Sequence, residues 1–152
     1  MERKRLKNQA GLTLVELLIA VLILVPFFTI GLQTFIKCIE LSDIAKNSSL
    51  AITGIKSRLA VIENTSYNQI AGIYNNTTFT ITGLNGIGIT YVDTSAKHLT
   101  VTISFSWRER NGRIIGEDKN LNGNLNAGED TITVNNRLDS IAQASTQIYS
   151  ML

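Results

Sequence analysis

Gly11-Leu12-Thr13-Leu14-Val15-Glu16-Leu17-Leu18-Ile19-Ala20 places one acidic side chain five positions after a glycine, at the head of a long apolar run. The run continues through Val21-Leu22-Ile23-Leu24-Val25-Pro26-Phe27-Phe28 to Phe35-Ile36, long enough to cross a bilayer as a helix. Ahead of it Arg3, Lys4, Arg5 and Lys7 outnumber Glu2, and this basic flank predicts a cytoplasmic N-terminus with the rest of the chain outside. A secretory signal peptide has the same general form. It is disfavoured because the run is longer than an ordinary h-region, no small-x-small site clearly ends it, and Glu16 interrupts it. A plain membrane anchor explains the length but not the acid. An ionisable group at the centre of a spanning helix costs about 2.5 to 3.5 kcal/mol and usually has a partner.

These residues resemble the N-terminal signature of type IV pilins and pilin-like proteins, including the pseudopilins of type II secretion. In that family a dedicated prepilin peptidase cuts a short basic leader after its terminal glycine on the cytoplasmic side, and the new N-terminus is methylated. The resemblance implies that Gly11 ends the leader, that Leu12 becomes the methylated mature N-terminus, and that Glu16 is the acid at mature position five. Leu12 stands where Phe is commoner, and Pro26 falls earlier than the helix-loosening proline of many pilins. The match covers about the first quarter of the chain. Its chemistry is independently sensible: a new α-amino group at Leu12 is a cation one helical turn from Glu16. In a low dielectric a paired charge is far less costly than an unpaired one. Glu16 is therefore expected to set assembly register by meeting its own or a neighbour's N-terminus.

Composition fits a membrane-anchored single domain. Removing the leader and the spanning half-helix from 152 residues leaves roughly a hundred, enough for one modest core. Residues 1–11 carry four cations and Glu2, so their loss turns the formal net charge of +2 into −1. The basic balance thus reports the leader and not a nucleic-acid surface. Cys38 is the single cysteine, which excludes an intrachain disulfide; it reads as a small buried hydrophobe at a helix interface.

Beyond the apolar run Leu41, Ala45, Ser48, Ile52, Ile55, Leu59 and Ile62 recur at spacings of four and three, predicting an amphipathic continuation of the same helix. Pro26 predicts a kink or loosening near Leu22 to Pro26, and Gly54 a slight weakening. The polar residues Glu63 to Asn68 end the pattern after about fifty residues, far above the globular mean. Thr77 to Thr82 alternates at period two, Gly83 to Gly86 reads as a turn, and Ile87 to Val92 resumes the extended style. His98 to Trp107 is the strongest strand, with Leu99, Val101, Ile103, Phe105 and Trp107 on one face. Asn111-Gly112 is a turn returning into Arg113-Ile114-Ile115. Ser140 to Tyr149 leans towards a closing strand. The expected fold is α+β and pilin-like, a long N-terminal helix on a small antiparallel sheet.

Asp118-Lys119-Asn120-Leu121-Asn122-Gly123-Asn124-Leu125-Asn126-Ala127-Gly128-Glu129 matches the calcium-loop pattern D-x-[DN]-x-[DN]-G-x5-E at every specified position. Asp118, Asn120 and Asn122 offer side-chain oxygens, Gly123 the sharp turn, Asn124 its carbonyl, Asn126 a direct or water-mediated oxygen, and Glu129 a bidentate closure. Leu125 is expected to point into the domain. Ile114-Ile115 before the loop and Thr131-Ile132-Thr133-Val134 after it read as strands, so a structural clamp is favoured over an EF-hand sensor. The competing reading is an ion-free Asn/Gly surface loop. Two formal charges predict weak binding, roughly 10⁻⁴ to 10⁻³ M. Asp130, Asn135, Asn136 and Asp139 fit no second loop well.

Gly83, Gly86 and Gly88 do not form a phosphate loop, because no helix and no Lys-Ser or Lys-Thr pair follows. His98 stands alone, and no nucleophile has a triad, so no enzymatic activity is expected. The sequence therefore divides into a leader (1–11), a transmembrane half-helix (12–36) and an exported domain (37–152), the last comprising a half-helix (37–63) and a sheet with the calcium-type loop (77–152). The expected function is a structural subunit, minor pilin or pseudopilin, of a type IV pilus or type II secretion filament. Its expected partners are the prepilin peptidase, other pilin or pseudopilin subunits and the inner membrane, with calcium as cofactor and no directly bound nucleic acid. It would wait in the inner membrane and end in a periplasmic or extracellular filament. The alternative is a monomeric membrane-tethered calcium-binding module.

Overall fold

A computed structural model describes residues 13–150. Gly11 and Leu12, on which the cleavage and methylation expectations rest, lie outside the described residues. Helix α1 spans Leu14–Glu63 and α2 Tyr67–Tyr74; the strands are β1 (Thr77–Phe79), β2 (Gly86–Thr94), β3 (His98–Arg108), β4 (Ile114–Ile115) and β5 (Gln143–Tyr149). This is the expected α+β arrangement of a long N-terminal helix and an antiparallel sheet. The chain divides into two compact units, residues 1–39 and 40–152.

In the first unit α1 is apolar around its whole circumference, with Leu14, Leu18, Leu22, Phe27, Ile30 and Phe35 all exposed. It is long and apolar enough to cross a membrane. A helix of this kind has no inward face, so its surroundings must supply the apolar contacts. Helical structure continues on both sides of Pro26, which cannot donate to the carbonyl of Leu22. The Thr29 hydroxyl donates to the Val25 and Pro26 carbonyls at 2.8 and 3.0 Å. Cys38 is exposed here, not buried as the sequence suggested.

The second unit is organised on β3, the longest strand. β2 pairs with it along its whole length, β4 holds its C-terminal end, and β5 pairs from His98↔Tyr149 to Ser104↔Gln143, all antiparallel. β1 adds a short edge on β2 through Thr77↔Thr90 to Phe79↔Gly88. The inward alternation is as expected: Leu99, Val101, Ile103, Phe105 and Trp107 are buried and share one core with Ala51, Ile55 and Ile62 of α1. Each such large side chain contributes about 1.5 to 3 kcal/mol on burial. Within the predicted Ser140–Tyr149 stretch, Gln143–Tyr149 closes the sheet as β5.

Three features differ from the sequence reading. The α1 contact is rotated at its upper end. Leu41 is 65% and Ile52 46% exposed and Ala45 is also exposed, while Ala51 and Gly54 face the sheet with Ile55, Leu59 and Ile62. The cause is steric: a Cβ on Gly54 would lie 2.3 Å from Cδ1 of Ile81, so closeness of approach and not hydrophobicity picks the face. Helix α2, unread in the sequence, places Tyr67, Ile70, Ala71 and Tyr74 against the core at spacings of three and one. Residues 131–134 form no strand, because the Thr131 and Ile132 amides donate to the Glu117 carboxylate instead of to a ladder, leaving Val134 89% exposed.

The opposite face of the sheet is also covered. Ser104 and Ser106 of β3 are buried there beneath the segment between β4 and β5. Ser104 donates to the Leu138 carbonyl at 2.5 Å, and the Leu138 amide donates to the Tyr91 hydroxyl at 2.9 Å. Burial pushes the Tyr91 phenol up from its ordinary value. Arg137 lies 5.3 Å over the Tyr91 ring and pairs with Asp93.

Candidate functional site

At the head of α1, Thr13 and Glu16 form a reciprocal pair. The Thr13 amide and hydroxyl both donate to Oε2 of Glu16 at 3.0 Å, and the Glu16 amide donates back to the Thr13 hydroxyl at 3.3 Å. This is a capping box: a Thr at the helix start and a Glu three residues on satisfy amides that have no intrahelical acceptor. Sequence reasoning gave Glu16 a partner at the processed N-terminus and missed Thr13, although T-x-x-E before an apolar run was readable. Glu16 is exposed and holds Thr13 through one carboxylate oxygen.

The second site is the 118–129 loop. Asp118 is buried, and its two oxygens accept the Asn122 amide at 3.1 Å and the Gly123 amide at 2.7 Å. The side-chain oxygens of Asn120 and Asn122 accept the amides two residues further on, at 3.0 and 2.7 Å. These turns curl the backbone around a common centre. Gly123 has φ +73°, and a Cβ there would stand 2.4 Å from Cγ2 of Thr78, so glycine is required both for the turn and for seating the loop on the sheet. Glu129 closes the loop: Oε1 accepts the Lys119 amide at 3.0 Å and Oε2 the Asn126 amide at 2.8 Å. Burial by itself raises its pKa, but the hydrogen bonds from Asn126, Lys119 and Asn120 outweigh it and hold the carboxyl below its usual value.

The structure brings Asn122, Asn124, Asn126 and Glu129 together, while the oxygens of Asp118 and Asn120 accept backbone amides. One atom marks the centre, Nδ2 of Asn126, which faces the Asn124 carbonyl at 2.8 Å, Oε2 of Glu129 at 3.0 Å and Oδ1 of Asn122 at 3.4 Å. Three of the anticipated donor oxygens thus converge on one electropositive group. Leu125 departs from expectation: it is 38% exposed. No group of three or more His, Cys, Asp or Glu side chains that could hold a metal occurs among the described residues. The loop offers two carboxylates and otherwise neutral oxygens.

In comparisons with known proteins, no curated protein and no solved structure matches this chain. Residues 6–25 match the family model described as the prokaryotic N-terminal methylation motif. That span contains Gly11, Leu12, Thr13, Glu16 and the first turns of the apolar helix. The chain therefore carries the leader signature of type IV pilins and pseudopilins at its N-terminus.

Proposed function

We propose that this protein is a pilin-like structural subunit, a minor pilin or pseudopilin, that is cut between Gly11 and Leu12, methylated on Leu12 and drawn from the inner membrane into a filament. The observation that carries this reading is the methylation motif seated on a helix that is apolar all round and has an acidic side chain at its head. The leader is residues 1–11, the spanning half-helix 12–36 and the exported domain 37–152. The basic flank supports an N-in, C-out orientation. A structural role suits the motif better than catalysis.

Mass spectrometry of the mature protein tests processing: a chain beginning at methylated Leu12 is expected, and an intact residue 11–12 bond refutes the reading. The role of Glu16 is tested separately, because the Thr13 pairing offers a purely local role. Glu16→Gln keeps a side chain able to cap the helix and removes the charge. Both Glu16→Gln and Glu16→Ala are expected to insert and be cleaved but to drop out of filaments. Normal incorporation of Glu16→Gln would reduce Glu16 to a helix cap.

The 118–129 loop supports calcium as a structural ion. Its donors are hard oxygens at the spacing such a loop needs, and three of them surround the Asn126 amide nitrogen. A half-turn of that amide exchanges its nitrogen for its oxygen and adds one more donor. Asp118, Asn120, Asn122, the Asn124 carbonyl, Asn126 and Glu129 would hold the ion, which would neutralise two carboxylates and tie the two ends of the loop together. Isothermal titration of the purified chain with calcium measures this directly, and the absence of binding at millimolar calcium sinks it.

A further inference from the structure

Glu117 is 1% exposed and its carboxylate accepts three backbone amides, yet it lies just outside the cation loop. One oxygen accepts the amides of Thr131 and Ile132, the other accepts the Asp139 amide at 2.8 Å, and the Glu117 amide itself donates to the Asp139 carbonyl at 2.9 Å. Across the same stem Glu129 accepts the Lys119 amide. The two stems of the loop are therefore stitched reciprocally: the carboxylate at 129 holds the amide at 119, and the carboxylate at 117 holds the amides at 131 and 132.

Glu117 is bonded in sequence to Asp118, and Glu129 is separated from Thr131 only by Asp130. Any ion that draws Asp118 and Glu129 to one centre also fixes the separation of the stems across which Glu117 reaches. Residues 117–139 hold five carboxylates against Lys119 and Arg137, a net of three negative charges. Without a cation this charge repels itself and favours opening. The covering segment is otherwise held to the sheet by a few contacts: Leu138 to Tyr91 and Ser104, Arg137 to Asp93, and the Ala142 carbonyl, which accepts the Phe105 amide at 3.0 Å.

We propose that Glu117 is a positioning residue that couples occupancy of the cation loop to closure of residues 130–142 over the Ser104 face of the sheet, so that calcium acts at a distance on a segment it does not touch. This rests on the calcium reading above. In the closed state Arg137 is sequestered against Tyr91 and Asp93; in the calcium-free state it becomes a protease site.

The test uses the full chain in detergent micelles, with calcium or with chelator, and follows trypsin cleavage after Arg137 separately from cleavage after Lys119, alongside calcium titration. Calcium is expected to slow cleavage after Arg137 at least tenfold and to slow hydrogen exchange at the Thr131, Ile132 and Asp139 amides. In Glu117→Gln, which leaves the ligand set intact, calcium should still bind and protect Lys119 but no longer protect Arg137. Calcium binding without any effect at Arg137 in the wild-type chain overturns the coupling and leaves the calcium site standing. Loss of binding itself overturns both. Retained protection of Arg137 in Glu117→Gln removes Glu117 from the role. Should that variant fail to fold, the wild-type exchange rates at the three amides decide alone: no change with calcium overturns the proposal.

Discussion

A carboxylate buried at a sheet end must have its oxygens occupied, and Glu109 meets that condition. It accepts the Trp107 indole N–H at 2.5 Å and the Asn47 side-chain amide at 2.9 Å, tying the end of β3 to α1. Glu109→Ala strands a buried indole donor and is expected to cost about 1 to 3 kcal/mol in urea unfolding. An unchanged midpoint would show that the donors find other acceptors. Glu129 makes a pH prediction. Its folded pKa lies below the usual carboxylate value, so its contribution to stability is present above the unfolded value, about 4.3, and is lost as pH falls through the lowered folded value. In chelator, wild type should lose stability over that acidic window, and Glu129→Gln should be less stable at neutral pH with a flatter acid limb. Parallel acid limbs for the two proteins would contradict the assignment.

Among the elements, α1 shows where periodicity succeeds and where it misleads. Ile55, Leu59 and Ile62 were legible because large apolar residues at helical spacing seek a core. Gly54 was not, because its contribution is smallness, visible only against Ile81. Gly54→Leu is therefore expected to destabilise by about 1 to 3 kcal/mol despite its better helix propensity, read by thermal unfolding. A gain in stability would mean that the helix can retreat from the sheet. Strand β3 was readable in full, since alternation, β-branching and turn signals agree. The Thr131 to Val134 stretch carried the same local signals and formed no strand, because the buried carboxylate of Glu117 captured the amides a ladder needs.

For the whole molecule, the proposed calcium ion would make the 118–129 loop a clasp on the second unit. With 10 mM calcium and the weak affinity expected of such loops, the gain is about 1 to 3 kcal/mol, several degrees in melting temperature. Asp118→Ala should abolish the shift, and identical melting curves with calcium and with chelator would refute it. The leader signature, the spanning length, the strand alternation and the loop pattern could all be read along the chain, because each depends on residues near one another in sequence. The partner of Glu16 at Thr13 is equally local. Three things lay beyond any local pattern: the face of α1 that meets the sheet, the burial of the Ser104 side of β3, and the reach of Glu117 across to residues 131, 132 and 139. Each joins residues distant in sequence through steric fit or a shared hydrogen-bond acceptor, and such contacts exist only once the chain has folded.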